Sequence, residues 1–280
     1  MNLMSKQRKR LCLGLLLGLW GLSGVGAAVN AAELLALGDA ELAGVQGRGG
    51  LSFAMDLHSS IGSMSYTTTD AAGNPSSISL NNFVATGAIF ETFDIVAGAS
   101  GEPDVANWAF PYITSSKPLQ VSYDLAIMAN GSTLGTGLTL KNIAFAGSSV
   151  QWTTSRTRGG VAWGLALNLA IDQVLLQPNG RGNTAGQMSL SGIKLEAAGG
   201  GGPWVIANVA TQTGAFNILA DPGGDRLQLG IGWPVAPADA ASGSLKIDNI
   251  TFTTPGGNVD LGSSSIGSMQ IQYLNIKIKS

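Results

Sequence analysis

Residues 138–145, LTLKNIAF, carry the pattern that decides the fold. Apolar residues alternate with other residues on each side of a polar pair, Lys141 and Asn142, and the pair adds one residue to the alternation. Side chains of a β-strand point to opposite faces in turn, so the extra residue would turn the second apolar group to the other face unless the strand bulges or bends. The stretch therefore predicts a strand that is kinked at its polar pair.

The same eight-residue pattern recurs along the chain. Copies lie at residues 78–85, 169–176, 188–195, 245–252 and 271–278, with looser copies at 88–95 and 204–211. In most copies the second residue of the pair is Asn or Gly, which adopt the local conformations of a bulge at low cost. The predicted kink positions are Asn82, Asn142, Gly192, Asn208, Asn249 and Asn275.

The rest of the chain from residue 49 onward also favours strands. Simple alternation runs through residues 51–57, 121–127, 161–169 and 227–233, and turn clusters rich in Gly, Pro, Asn and Asp separate these segments. We therefore predict an all-β fold of antiparallel, curled sheets, as a sandwich or a flattened barrel, with a solenoid-like stack as the alternative. The irregular spacing of the copies disfavours a strict solenoid. The hexapeptide SSIGSM occurs twice, at residues 59–64 and 264–269.

The first 31 residues have the pattern of a secretory signal peptide. Basic residues between Lys6 and Arg10 precede an apolar run, and small residues allow cleavage between Ala31 and Ala32. We expect export to the periplasm, the outer-membrane surface or the extracellular space, with signal peptidase as a partner. An uncleaved membrane anchor is the alternative. Removal of the segment would also remove Cys12, the single cysteine, so we expect no disulfide in the mature protein.

Residues 32–48 are predicted to form a short helix and a hinge. Leu34, Leu37 and Glu41, and beside them Leu35, Leu42 and Val45, recur at helical spacing, and a glycine-rich segment follows them. An ordinary linker helix is the simplest interpretation. Residues 49–280 then form a single β-rich domain.

The hinge also resembles double-glycine leader peptides. The resemblance implies recognition by a papain-like leader peptidase through the helix, with processing after Arg48 to free Gly49. Gly38 and Arg48 stand where the leader pattern has Ser and Gly. The residues that carry the resemblance are Leu37, Glu41, Leu42, Val45 and Gly47.

The same segment, with its entry into a β-rich body, resembles the Fil-type pilus-assembly family, an uncharacterised exported family of Gram-negative bacteria. This resemblance implies a filament-associated surface protein whose partners are other copies of itself or surface-assembly proteins.

The sequence predicts no catalytic centre, no metal site and no cofactor. His58 is the only histidine, no nucleophile motif accompanies it, and carboxylates such as Glu91, Asp124 and Asp172 are scattered. Without residues 1–31, the chain has 11 Lys and Arg against 17 Asp and Glu, which argues against nucleic acid as a partner. The tryptophans could form a carbohydrate-stacking face, an aromatic girdle or core anchors.

We therefore predict an exported, non-enzymatic structural or adhesive surface protein. The first alternative is a periplasmic β-fold binding module for an apolar or glycan ligand. The second is an outer-membrane β-barrel, which the alternating Lys277 and Lys279 near the C-terminus disfavour.

Overall fold

The computed structural model describes residues 50–70, 73–98, 103–111, 116–154, 160–210, 214–220, 224–231, 241–271 and 274–279. The predicted signal peptide, the hinge helix and both predicted cleavage points lie outside these ranges. The described residues form strands, turns and bends and contain no helix. Every pairing between strands is antiparallel. The predicted all-β, antiparallel class is confirmed.

Fifteen strands follow one another along the described chain. They are β1 Leu51–Thr69, β2 Pro75–Val96, β3 Val105–Ala109, β4 Leu119–Ala129, β5 Ser132–Ala144, β6 Ser149–Thr154, β7 Val161–Leu167, β8 Leu169–Gln177, β9 Met188–Ala197, β10 Trp204–Ala207, β11 Gly214–Leu219, β12 Arg226–Ile231, β13 Gly243–Thr254, β14 Gly257–Met269 and β15 Leu274–Lys279.

Residues suited to tight turns join the long hairpins. Asn130 and Gly131 connect β4 to β5 with positive φ angles of 52° and 72°, the conformation of a two-residue type I′ turn, whose twist matches that of the strands. Asp70 closes the β1–β2 turn, because its side chain accepts hydrogen bonds from both the backbone and the side chain of Asn74. The predicted turn chemistry at these positions therefore sets the strand register.

All fifteen strands belong to one sheet, and β2 organises it. Along one edge, β2 pairs with β1; along the other, it pairs first with β4 and then with β3. Two series of paired strands, which we call arms, therefore start at the same edge of β2. Arm A has the order β4, β5, β8, β9, β13, β14, and arm B has the order β3, β6, β7, β11, β12, β15, with β10 also paired to β7. The sheet is not closed: within the described ranges β1, β14 and β15 each pair with one strand.

The change from one arm to the other occurs at Gly87. Its φ is +142°, and a Cβ atom there would lie 2.5 Å from the Cα atom of Leu119 at the start of β4. Next to it, the amide of Ala88 donates a hydrogen bond to the carbonyl of Lys117. Only glycine allows this close approach of two backbones.

The main buried cluster takes side chains from both arms. Trp163, Trp204, Ile206, Ala207 and Ile231 form its centre. Partly buried apolar residues pack against this centre, including Trp152 and Phe216 of arm B and Leu195 and Met269 of arm A. Apolar burial therefore links two arms that strand pairing, in the described ranges, joins through β2.

Two tryptophan rings lie directly against glycines. A Cβ atom at Gly214 would be 2.2 Å from the ring of Trp163, and one at Gly243 would be 2.2 Å from the ring of Trp204. The indole Nε1 of Trp204 also donates to the carbonyl of Ala241 at 2.9 Å, which fixes the ring. The cluster thus has no room for a methyl group at either glycine.

We predict that Gly243→Ala lowers the free energy of unfolding by about 1 to 3 kcal/mol, the usual cost of forcing an extra carbon into a packed core. Urea unfolding followed by tryptophan fluorescence measures the change. Gly202→Ala is the matched control, because nothing lies within 4 Å of a Cβ atom there. Equal stability of the two variants would show that the Trp204 ring can move away at no cost.

Candidate functional site

Three predicted kink positions have left-handed backbone conformations. The φ angles are 51° at Asn82, 54° at Asn142 and 62° at Gly192. At Asn82 the β2–β4 register shifts between Asn81 and Val84, and Lys141 and Asn142 of β5 lie where the register with β4 also shifts. The extra residue of each pattern is therefore taken up by one residue outside the β region.

The kinks of arm A lie on one line across β5, β8, β9 and β13, which we call the kink line. Lys141 pairs with Gln173, Gln173 pairs with Ser191, and Ser191 pairs with Asn249. The Lys141 ammonium also donates a hydrogen bond to Gln173 Oε1 at 3.0 Å. The polar pairs of neighbouring strands thus meet side by side.

Carboxylates on neighbouring strands support the kinks. Asn142 Nδ2 donates to Asp172 Oδ2 at 2.7 Å, and Asn82 Nδ2 donates to Asp124 Oδ2 at 3.0 Å. The carboxylate of Asp248 lies so close to Gly192 that a Cβ atom there would be 2.0 Å from Asp248 Oδ2. These aspartates were not among the kink residues predicted from the sequence, although Asp172 and Asp248 occupy the first position of the polar pair in their own copies of the pattern.

The other three predicted kink positions differ. Asn249 lies within a register shift of β13 against β14, between Ile247 and Ile250, and its Nδ2 donates to Asp260 Oδ2 at 3.4 Å. Asn208 follows the last residue of β10 and accepts a hydrogen bond from the amide of Ala210.

Asn275 departs from the predicted pattern, because it pairs with Gly230 in an unshifted register. It is the second residue of the short strand β15, so only one residue of the strand precedes it.

Arg181 holds the Asn82 kink from a distant loop. The residue lies between β8 and β9, and its Nε atom is 3.3 Å from Asp124 Oδ1. The guanidinium also donates to the side chain of Ser122 and to the backbone carbonyl of Asn82, at 2.8 Å for the latter. Its own backbone packs on Gly137, where a Cβ atom would be 2.6 Å from the Arg181 amide nitrogen. One side chain thus links the β8–β9 loop to β4 and β2.

The charge of Arg181 affects the titration of Asp124. Partial burial would raise the pKa of Asp124, but hydrogen bonds from Asn82 and from the backbone and side chain of Arg181, with the positive charge, lower it below its ordinary value. A carboxylate whose pKa is lowered in the folded state stabilises that state while it is ionised.

The exposed strand edges fall into two kinds. β1 has 19 residues and β14 has 13, and nearly all residues of both are exposed. Neither strand contains Lys, Arg or Pro, the residues that usually protect an edge against pairing with another chain, although the register of β14 with β13 shifts at Leu261 and between Ile266 and Met269. In contrast, β15 has six residues, two of which are Lys277 and Lys279. We call β1 and β14 the unguarded edges.

Both unguarded edges expose large apolar side chains. The exposed fraction is 60% at Leu51 and 59% at Met64 in β1, and 59% at Leu261 and 50% at Ile266 in β14. Asp56, the one carboxylate of β1, forms an ion pair with Lys117. The edges therefore combine free backbone hydrogen-bonding groups with apolar surface.

Other residues singled out by the sequence do not come together as a reactive centre. His58 is exposed on β1. Glu91 accepts a hydrogen bond from Trp108 Nε1 at 3.0 Å; burial raises the pKa of Glu91, and this hydrogen bond opposes the rise. Among the described residues, no group of three or more His, Cys, Asp or Glu side chains is placed to hold a metal ion.

The aromatic residues pack on one another. Trp108 stacks on Phe110 with ring centroids 6.5 Å apart and contacts Trp152 at 6.3 Å, and Trp163 contacts Phe216 at 6.0 Å. Trp233 lies outside the described residues.

A shallow cavity of about 530 Å³ is formed by the β8–β9 loop and the β13–β14 turn, away from these rings. In the ranges that the structure covers, no helix is long and apolar enough to cross a membrane.

We predict that Asp124→Asn lowers the free energy of unfolding at pH 7 by about 1.5 to 3 kcal/mol, the range for hydrogen bonds to a charged group. Because the pKa of Asp124 is lowered by folding, this stabilisation is complete above the unfolded-state value of about 3.9 and is lost as the pH falls through the folded-state pKa. The difference between wild type and variant should therefore shrink below about pH 4 in urea unfolding curves.

Asp172→Asn is the matched control, since it alters the Asn142–Asp172 contact and leaves the Arg181 contacts intact. An Asp124→Asn effect that is no larger than that of Asp172→Asn at pH 7 would contradict a stabilising role for Arg181.

Comparison with known proteins gives one family match. A model for a family of unknown function, DUF6160, matches residues 17–110, about a third of the chain. These residues include the predicted hinge, β1, β2 and β3. No curated protein and no solved structure matches the chain.

Proposed function

We propose that this chain is an exported, non-enzymatic structural or adhesive surface protein, which assembles through an exposed strand edge. In this proposal the two arms act as the layers of a sandwich around the tryptophan cluster. The hinge resemblance to the Fil-type family supports a place in or beside a surface filament.

The observation that carries the proposal is the length and composition of β1. A strand of 19 residues at a sheet edge presents unpaired N–H and C=O groups at alternate positions. Soluble monomers normally protect such an edge with lysines, prolines or bulges, because it is a template for another chain. β1 has none of these residues, although β15 of the same sheet has two lysines.

Strand addition also fits the chemistry of the surface. Backbone hydrogen bonds supply affinity in this mode of binding, and alternate side chains supply specificity. The exposed Leu51, Phe53 and Met55 would be covered by a partner strand. Each net backbone hydrogen bond contributes about 0.5 to 1.5 kcal/mol, so a long edge strand such as β1 can offset part of the cost of association.

The N-terminal segments have a place in this proposal. Signal peptidase would cut before Ala32, and a leader peptidase would hold the hinge helix and cut after Arg48. The second cut would make Gly49 the new N-terminus, two residues before β1 begins at Leu51.

We predict that the protein recovered from its exported fraction shows concentration-dependent assembly in light scattering. Lysines placed on the edge, as in Ser60→Lys/Ser65→Lys, should raise the concentration at which assembly begins by about tenfold, equivalent to ~1.4 kcal/mol for each contact. Gln120→Lys/Thr133→Lys adds the same charge on β4 and β5 and should leave assembly unchanged.

A monomer at all concentrations, or one that carries a copurified ligand, would contradict the proposal and favour the binding module. Mass spectrometry of the same sample reports where the chain begins, and a start at Ala32 with no trace of a start at Gly49 would remove the second cleavage.

A further inference from the structure

We infer that the strand that pairs with β1 is β14 of a second copy of this chain. The inference rests on the proposed function and names the partner and the surface. It depends on three features of the described residues: a repeated segment, the direction of the strands and the lack of guard residues.

The repeated segment occupies both unguarded edges. Residues 56–64 of β1 read DLHSSIGSM, and residues 260–269 of β14 read DLGSSSIGSM, with one additional serine. The two copies are at opposite ends of the run β1, β2, β4, β5, β8, β9, β13, β14. Apart from Met269, which packs against the tryptophan cluster, the repeated residues at the two edges are largely exposed, so packing within one chain does not explain the repeat.

The strand directions suit an extended sheet. Seven antiparallel steps lead from β1 to β14 through β2 and arm A, so β1 and β14 of one chain run in opposite directions. A second copy placed beside the first in the same orientation brings its β14 antiparallel to β1. The antiparallel pattern therefore continues across the contact, and both sheets keep the same face on the same side.

The contact is heterologous, because one edge meets a different edge. Each copy that joins still offers one free β1 and one free β14, so copies that share one orientation repeat the contact as an open array. β15 takes no part, because two of its six residues are lysines, which disfavour pairing at a sheet edge.

The apolar residues indicate the register. In each copy of the segment, isoleucine and methionine are three residues apart, at Ile61 and Met64 in β1 and at Ile266 and Met269 in β14. Within the chain, Ile61 pairs with Phe83 and Met64 pairs with Leu80, on the two sides of the Asn82 kink in β2. The register that pairs Ile61 with Met269 and Met64 with Ile266 reproduces this arrangement between copies and places Ser65 opposite Ser265.

Disulfide trapping tests the partner and the register in the full chain with Cys12→Ser as background. Ser65→Cys in one sample and Ser265→Cys in another should each stay uncross-linked under mild oxidation. Their mixture should give a cross-linked dimer, because directly opposed Cα atoms lie about 4.5 to 5.5 Å apart, within the range that a disulfide spans. The double variant should give a ladder of multimers.

The matched control replaces Ser65→Cys by Ser60→Cys, which lies five residues away, or about 17 Å along the strand. Its mixture with Ser265→Cys should give at least tenfold less dimer. A dimer from Ser65→Cys alone would show β1 pairing with β1, and equal dimer from both mixtures would show no fixed register; each result overturns the inference.

Light scattering on the same samples separates the two levels of the proposal. If the chain assembles but the mixture of Ser65→Cys and Ser265→Cys does not cross-link, β14 is not the partner and only the inference fails. If the chain does not assemble under any condition, the proposed function and the inference fail together.

Discussion

The constraint on which the structure depends is that a strand with one inserted residue must leave the β region somewhere to keep its apolar side chains on one face. Asn82, Asn142 and Gly192 provide that residue with positive φ angles. A left-handed conformation costs a non-glycine residue roughly 1 to 2 kcal/mol. The hydrogen bonds from Asn82 to Asp124 and from Asn142 to Asp172 offset this cost, so the kinks are stable features of the sheet.

The kinks and the division of β2 together determine which surfaces are buried. Gly87 lets β2 pass from β4 to β3, and the two arms meet over a small cluster centred on Trp163 and Trp204. Few side chains are fully buried there, so strand pairing carries much of the order. β1 and β14 are left as long edges of the same sheet, with apolar residues and no guard residues on either.

Local structure could be predicted from the sequence, but the pairing of the strands could not. Alternation and turn residues predicted the all-β class. The repeated Asn or Gly predicted kinks at Asn82, Asn142 and Gly192, where φ is positive. Both signals act through the local backbone. The sequence does not show that β2 holds strands of both arms on one edge. Nor does it show that Arg181, 57 residues from Asp124, closes over the Asn82 kink. Such contacts depend on strand order, which composition and periodicity do not encode.

The kink itself is tested most directly by comparing glycine and alanine at Asn142. Both substitutions remove the hydrogen bond to Asp172, so the difference in their free energy of unfolding reports the backbone alone. Asn142→Gly should be more stable than Asn142→Ala by about 1 kcal/mol, whereas at Thr139, an ordinary position of β5, alanine should be the more stable replacement. Alanine being as stable as glycine at position 142 would contradict a left-handed residue there, and with it the kinked strands from which the sheet is built.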